Sequence, residues 1–369
     1  MRVLMTGGGT GGHVNPAIAI ANTIKSKEPD AQIEFVASTR PNDKACDLVP
    51  RAGYKLHKLD ICASYGPLDP RNLKTLYCLI KSSAQAKRLI REYKPDVIIG
   101  TGGFASFPLL YAGAKLGVPT AVHESNAKPG RAVLKLCRKV DVVLTNFDAA
   151  ESALSGSRRV VRVGNPTLFG GDKKQTSAPD LKKGGFARRV LCFGGSGGAK
   201  RINEEMCRIL PTLAGEYPDT LFTHASGMRD YGFCKQSYEN SGLDSAPNVE
   251  LVEYIYDMNR RMAEADLLIC RAGAMTVSEV ALMGKAAIFV PFPYAAANHQ
   301  YENAKAIADA DACELVLEDT FAKDGLADAV RRLLSDGATR QRYAQNIKSF
   351  AEKEANENIY REIKALLEK

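Results

Sequence analysis

The chain has 369 residues, 45% of them hydrophobic and 25% charged, which is too long for one ordinary core and matches a globular protein of two domains of about 150–200 residues each. It holds no run of about 18 apolar residues and enters a strand at its second residue, so neither a spanning helix nor a signal peptide is expected, and the protein is expected to stay in the cytoplasm. The net charge of +8 is uneven: residues 1–165 carry 24 Lys+Arg against 13 Asp+Glu, and the remainder 26 against 29. The first half should therefore meet something acidic. Trp is absent, and neither an aromatic RNA-binding signature nor a basic recognition helix is present, so nucleic acid is excluded in favour of an anionic membrane surface or a phosphorylated substrate. Nine scattered cysteines without a CxxC pair read as mostly reduced and simply buried.

The first strand spans Arg2 to Met5 and feeds Gly7-Gly8-Gly9-Thr10-Gly11-Gly12-His13, with a helix predicted over Asn15 to Lys27. Gly7, Gly9 and Gly12 match GxGxxG, but the next strand, Ile33 to Ala37, ends in Ser38-Thr39-Arg40 without the acid that a dinucleotide ribose needs. Arg40 could serve only a 2′-phosphate, so an NADP-linked oxidoreductase is disfavoured. Further strands at Val97 to Ile99, Val118 to Val122, Val140 to Leu144 and Val160 to Val163 alternate with helices. Three of these strands run into polar or glycine clusters: Gly100-Thr101-Gly102-Gly103-Phe104, His123-Glu124-Ser125-Asn126 and Gly164-Asn165-Pro166. Such clusters line a substrate face.

Residues 169–185 lose periodicity and read as a linker, after which the chain starts again. Arg189-Val190-Leu191-Cys192-Phe193-Gly194-Gly195-Ser196-Gly197-Gly198 restates the strand and glycine loop of the first half. Strands follow near Thr220 to His224, Val249 to Glu253, Leu267 to Cys270, Ala286 to Val290 and Cys313 to Leu317, with helices from Ala322 to the end. The expected architecture is α/β, two Rossmann-like doubly wound domains facing across a cleft: residues 1–165, a linker over 166–187, residues 188–350, and a terminal helix over 351–369 packing back on the first domain.

The stretch Ala265 to Asn303 organises the second half. Its strand, small-residue turn, helix over Thr276 to Met283, and second strand put Arg271 and Glu279 at a ligand crevice. Thr276-Val277-Ser278-Glu279 also matches a capping box, in which Glu279 would merely bond back to its helix. The company of Arg271, a helix N-terminus and Asn298-His299-Gln300 favours a nucleotide pocket, with the Glu279 carboxylate accepting from a ribose diol. Asp309-Ala310-Asp311 resembles a metal-binding DxD but reads as surface, so no metal or other cofactor is expected. Among the histidines, His57, His224 and His299 read as packing or loop residues. His13 and His123, each closing a cleft motif, are the candidates for a general base, with Glu124 the alternative.

Together these motifs, from Gly8-Gly9-Thr10-Gly11-Gly12-His13 through Gly194-Gly195-Ser196 to Arg271-Ala272-Gly273-Ala274-Met275-Thr276-Val277-Ser278-Glu279, resemble the MurG family of peptidoglycan glycosyltransferases. The resemblance implies a GT-B fold. It also implies transfer of N-acetylglucosamine from its UDP derivative to undecaprenyl-pyrophosphoryl-N-acetylmuramoyl-pentapeptide (lipid I), giving lipid II, with other cell-wall synthesis proteins as potential partners. By position, Thr10, Gly11 and Gly12 would touch the donor from the N-terminal side and Asn126 its sugar. Ser196 would hold pyrophosphate, Ile255 would flank uracil, Ala274, Met275, Thr276, Val277, Ser278 and Glu279 would form the nucleoside wall, and Gln300 would bind sugar hydroxyls. Three positions depart from the family pattern: Thr167-Leu168 where a small residue and Arg are usual, Gly197 for Gln, and Phe104 for Tyr. A UDP-sugar 2-epimerase, which can share the fold, and a non-catalytic nucleotide-binding module are the competing readings.

The segment 70–94, PRNLKTLYCLIKSSAQAKRLIREYK, clusters Leu73, Leu76, Tyr77, Leu79 and Ile80 at helical spacing and carries seven cations against Glu92 alone. An amphipathic helix packed on its own domain fits this pattern. With the basic first half, so does a helix that docks on the anionic cytoplasmic leaflet.

Overall fold

A computed structural model of the chain describes residues 1–369 except 41–42, 63–71, 169–184, 196–197 and 369, and for 72–74, 76 and 296 the backbone only. The chain divides into two compact units, Met1–Leu168 with Glu352–Lys369, and Phe169–Ala351. Most of the expected linker lies outside the described residues.

In the first unit, seven parallel strands are named in chain order: β1 (Arg2–Thr6), β2 (Gln32–Ser38), β3 (Lys55–Leu59), β4 (Val97–Gly100), β5 (Thr120–Glu124), β6 (Val142–Thr145) and β7 (Val160–Arg162). They lie in the order β3-β2-β1-β4-β5-β6-β7. Val3 faces Ile33 on one side and Val97 on the other. The central strands are buried on both faces, which is why they read as unbroken apolar runs. β3 escapes the apolar pattern because Lys55-Leu56-His57-Lys58-Leu59 is an edge strand with polar residues outward, where Glu34 of β2 pairs with Lys55 (3.1 Å) and with His57.

The second unit repeats the plan with β8 (Arg188–Phe193), β9 (Thr220–Ala225), β10 (Val249–Val252), β11 (Leu267–Cys270), β12 (Ala286–Phe289) and β13 (Glu314–Leu315). Their order is β10-β9-β8-β11-β12-β13, all parallel. In both sheets the order reverses beside the first strand, between β1 and β4 and between β8 and β11. This is the switch point at which doubly wound sheets hold ligands.

Three helices of the first unit pack along its sheet: α1 (Gly11–Lys27), α2 (Ala45–Arg51) and α3 (Asn72–Tyr93). The last helix of the chain, Ala355–Leu367, belongs to the same unit, where Ile359 and Ile363 are fully buried against the face holding Val3 and Ile18. Glu28, at the C-terminal end of α1, accepts from Tyr360 (3.0 Å) and Lys364 (2.9 Å) and so pins that helix. Thr167 bonds Asn356 through both backbone groups (3.1 and 3.0 Å), while Leu168 is exposed.

One pair of cysteines, Cys62 and Cys78, forms a disulfide with Cα atoms 5.8 Å apart. Cys78 sits on α3 and Cys62 just after β3, so the return of α3 along the sheet brings together residues whose spacing carries no motif. The other seven are unpaired thiols, and six of them are buried.

Candidate active site

In the first unit the site grows from the β1–α1 junction. The helix starts at Gly11, four residues before the sequence suggests. Pro16 suits the first turn of a helix because of its fixed φ and missing N–H, yet it sits in the second turn. Thr10 is therefore the N-cap, exposed, with extended backbone and no side-chain cap bond. Gly11 and Gly12 are the first two helical residues, and their amides have no intrahelical acceptor. No acidic side chain occupies that turn. The junction is an open helix N-terminus suited to an oxyanion.

His13 is the third helical residue. Its Nδ1 lies 3.0 Å from the carbonyl oxygen of Thr101, and the Thr101 hydroxyl donates to the His13 carbonyl at 2.6 Å. A carbonyl can only accept, so Nδ1 carries the proton and the neutral ring has its basic lone pair on Nε2. The ring lies over Gly102 and Gly103. A Cβ on Gly103, at φ +76°, would come within 3.0 Å of the ring and 2.7 Å of the Gly8 carbonyl. Sequence reasoning noticed the TGG cluster but not that its carbonyl sets the tautomer of His13, because main-chain acceptors carry no residue signature.

Two base candidates fail on geometry. His123 is fully buried, its Nε2 donates to the Gly164 carbonyl (2.8 Å), its Nδ1 faces the Ser125 hydroxyl (3.3 Å), and burial pushes its pKa down to about 4. It is a neutral core histidine. Glu124 is also buried, and its two oxygens accept from the Asn126 amide (2.9 Å), the Asn126 side chain (3.0 Å) and the Gly130 amide (2.8 Å). It organises the loop that presents Asn126, and both of its oxygens are engaged there.

In the second unit the helix over Ala274–Met283 begins two residues early, with Gly273 as N-cap. Glu279 is thus its sixth residue, and the capping-box reading falls. The carboxyl of Glu279 is half-buried, has no ion pair or hydrogen bond among the described residues, and is pushed by burial up to about 8. A carboxyl with a raised pKa and no protein partner near a helix start beyond a strand end is a candidate ligand group. Met275 and Thr276 are half-buried, whereas Val277 and Ser278 point into the core, and the Val277 amide bonds the Gly273 carbonyl (2.9 Å). Val277 and Ser278 are therefore withdrawn from the nucleoside wall, which reduces to the helix start at Ala274, Met275, Thr276 and Glu279.

Arg271 is also corrected. Its guanidinium pairs with Glu318 (2.6 Å), donates to the carbonyls of Val290 (3.1 Å) and Pro291 (3.2 Å), and stacks on Phe292. These bonds hold the loop after β12, so the side chain is committed within the protein and not to an anion. Gln300 braces the same loop, its carbonyl oxygen accepting from the Phe292 amide (2.9 Å). Ile255 is buried, while its chain neighbours Tyr254 and Tyr256 are exposed and pack edge to face with ring centroids 4.9 Å apart. Ser196 lies outside the described residues. His224 is a core residue bonded to Tyr238 (2.8 Å) and Asn203 (3.0 Å), and the DxD-like aspartates are paired with Lys305 (2.5 Å) and Arg342 (2.6 Å).

Two parallel doubly wound sheets, each opening on a glycine loop and helix N-terminus, are the architecture of the GT-B fold, and the family matches make the class a glycosyltransferase. The glycosyltransferase family 28 N-terminal domain matches residues 3–145 and the family 28 C-terminal domain residues 189–359. A Limosilactobacillus fermentum protein is 36% identical across 97% of this chain and 96% of its own length, and one from Acetivibrio thermocellus is 36% identical across 100% and 98%. Both are named UDP-N-acetylglucosamine–N-acetylmuramyl-(pentapeptide) pyrophosphoryl-undecaprenol N-acetylglucosamine transferase. The crystal structure of Acinetobacter baumannii MurG superposes with a TM-score of 0.77 at 29% identity over 99% of both chains. The chain belongs to this transferase family. A UDP-GlcNAc 2-epimerase from Neisseria meningitidis, at 14% identity and TM-score 0.67 over 98% of this chain and 99% of its own, shares the fold alone.

Proposed function

We propose that this protein moves N-acetylglucosamine from UDP-N-acetylglucosamine to the C4 hydroxyl of the N-acetylmuramoyl unit of undecaprenyl-pyrophosphoryl-N-acetylmuramoyl-pentapeptide, with inversion at the anomeric carbon. The observation that carries the reading is His13, a histidine fixed in the base-competent tautomer at a glycine-rich helix N-terminus, in a chain that matches named transferases end to end. Nε2 of His13 takes the proton of the acceptor hydroxyl as its oxygen bonds to the anomeric carbon and the bond to UDP breaks. The departing diphosphate is stabilised by main-chain amides of the second glycine loop and of the helix start at Gly273–Ala274, where no acidic residue sits in the first turn. Glu279 takes the ribose diol of the donor, Ile255 flanks its base and Gln300 its sugar, while Thr10, Gly11 and Gly12 touch the donor from the first unit and Asn126 reaches its sugar. Incubation with UDP-N-acetylglucosamine and a lipid-linked acceptor should yield the disaccharide product. Conversion of UDP-N-acetylglucosamine alone to its 2-epimer would establish the competing reaction instead.

The polyprenyl acceptor also fixes where the enzyme must work. No helix among the described residues is long and apolar enough to cross a membrane. On α3 the buried stripe runs through Cys78, Ser82, Ala86 and Ile90, while Tyr77 and Ile80 are each 66% exposed. The cations Lys81, Arg88 and Arg91 are exposed along the same helix, although Lys81 pairs with Asp60 (2.9 Å) and Arg88 with Glu92 (2.7 Å). Leu79 is half-buried, so the lipid-facing role falls to Tyr77 and Ile80, while the side chains of Leu73 and Leu76 lie outside the described residues. Docking of this face on anionic lipid predicts co-sedimentation with anionic but not neutral vesicles, lost as the Debye length falls to about 3 Å at 1 M salt. Tyr77→Ser with Ile80→Ser should weaken vesicle binding and turnover of membrane-embedded acceptor while sparing a short-chain soluble one. Equal loss on both acceptors would assign the pair to folding.

A further inference from the structure

The strand after the first glycine loop ends without an acid, but Asp43, five residues past Ser38, turns back to supply one. Its buried carboxylate accepts the Gly9 amide (2.8 Å) and the Ala45 amide (3.1 Å) on Oδ1, and the Ser38 amide (3.2 Å) and hydroxyl (2.6 Å) on Oδ2. The Lys44 amide reaches the Gly9 carbonyl at 3.4 Å, a second link from the same turn. Four donors converge on one carboxylate, and it has no ion-pair partner among the described residues. It ties the end of β2 and the start of α2 to Gly9, whose backbone is at φ +94° directly before Thr10, Gly11, Gly12 and His13.

We infer that Asp43 is a positioning residue for the transfer reaction, holding the glycine loop so that His13 meets the acceptor hydroxyl. The inference rests on the role proposed for His13. Charge-assisted bonds of this kind fix a loop strongly, and a displacement of about 1 Å at a reacting group costs on the order of 10²-fold in rate. Asp43→Ala should therefore lower kcat about 10²-fold while changing the equilibrium Kd for UDP-N-acetylglucosamine by much less, because the nucleoside of the donor is assigned to the other unit. Asp43→Asn, with one oxygen left for donors on two sides, should fall between. Ser38→Ala removes a bond to the same carboxylate without touching Gly9, and should keep kcat near wild type whatever it does to the melting temperature. In a His13→Ala background Asp43→Ala should add less than about 3-fold, since both act through one base.

A wild type that makes no lipid-linked product would overturn the proposed function and the positioning role that rests on it. A wild type that turns over, with a folded Asp43→Ala or Asp43→Asn at full kcat, overturns the positioning role alone. So does full additivity with His13→Ala, or failure of both Asp43 variants to fold, which would make Asp43 a residue of the fold.

Discussion

His13→Ala is expected to lower kcat by about 10²- to 10⁴-fold with the melting temperature and the Kd for UDP-N-acetylglucosamine close to wild type. The tautomer makes this more than a guess from residue type. With Nδ1 donating to the Thr101 carbonyl, the proton-accepting lone pair stands on Nε2, and the ring cannot rotate without losing its seat over Gly102 and Gly103. Truncation removes the base and leaves a space beside two glycines, so added imidazole should restore part of the rate to His13→Ala and none to the Asp43 variants, whose histidine is still present. A loss of kcat without imidazole rescue would mean that the ring orients the acceptor rather than accepting its proton. Near-normal kcat in His13→Ala would remove it from the chemistry, and because His123 and Glu124 are already spoken for by Gly164, Asn126 and Gly130, the proton would then pass to water.

Burial decides which parts of the fold are legible in the sequence. Central parallel strands covered on both faces must be apolar, so their positions and the polar clusters at their ends stand out, and the repeated strand and glycine loop exposes the two halves. Edge strand β3 does not stand out, since one side of it faces water and its lysines look like loop. Helix starts are misplaced in both halves for a local reason: Pro16 and Thr276 are each good first-turn residues, but the helices begin earlier, at Gly11 after Thr10 and at Ala274 after Gly273, where the preceding strand delivers the chain. The larger gap concerns how residues are spent. Arg271, Glu124 and His123 have the right chemistry at the right strand ends, and only the folded chain shows that Glu318, Gly130 and Gly164 already hold them. Asp43 is the converse case, an acid outside any motif whose partners are backbone amides and one neighbouring hydroxyl.

Glu279→Gln should weaken the donor and stabilise the empty protein, and the pair of effects separates a ligand carboxylate from a structural one. In the ligand-free protein burial raises the carboxyl from 4.5 to about 8, so the folded state holds a proton that the unfolded chain has lost. Stability is fully present below pH 4.5, declines as pH rises through about 8, and is flat above. Gln carries no such titration, so its advantage over Glu should grow across that window, reaching on the order of 1–3 kcal/mol once partial solvent access is allowed for, or a few degrees in Tm. A lost helix cap would do the reverse and lower Tm by about 1 kcal/mol worth of stability at every pH. Donor binding runs the other way. To accept from both hydroxyls of the ribose the carboxyl must be ionised, so the Kd of wild type for UDP-N-acetylglucosamine should tighten up to about tenfold per pH unit as pH approaches 8 and level off above it. Glu279→Gln should be flat with pH and weaker above pH 8 by roughly 10- to 100-fold, the worth of hydrogen bonds to a charged acceptor. The 2′-deoxyribose analogue of the donor supplies the cross-check: wild type should lose affinity for it, and Glu279→Gln should scarcely distinguish it from the ribose form. A variant that discriminates the two donors as strongly as wild type would show that the ribose is held elsewhere, and that the unpaired carboxyl of Glu279 awaits another part of the substrate.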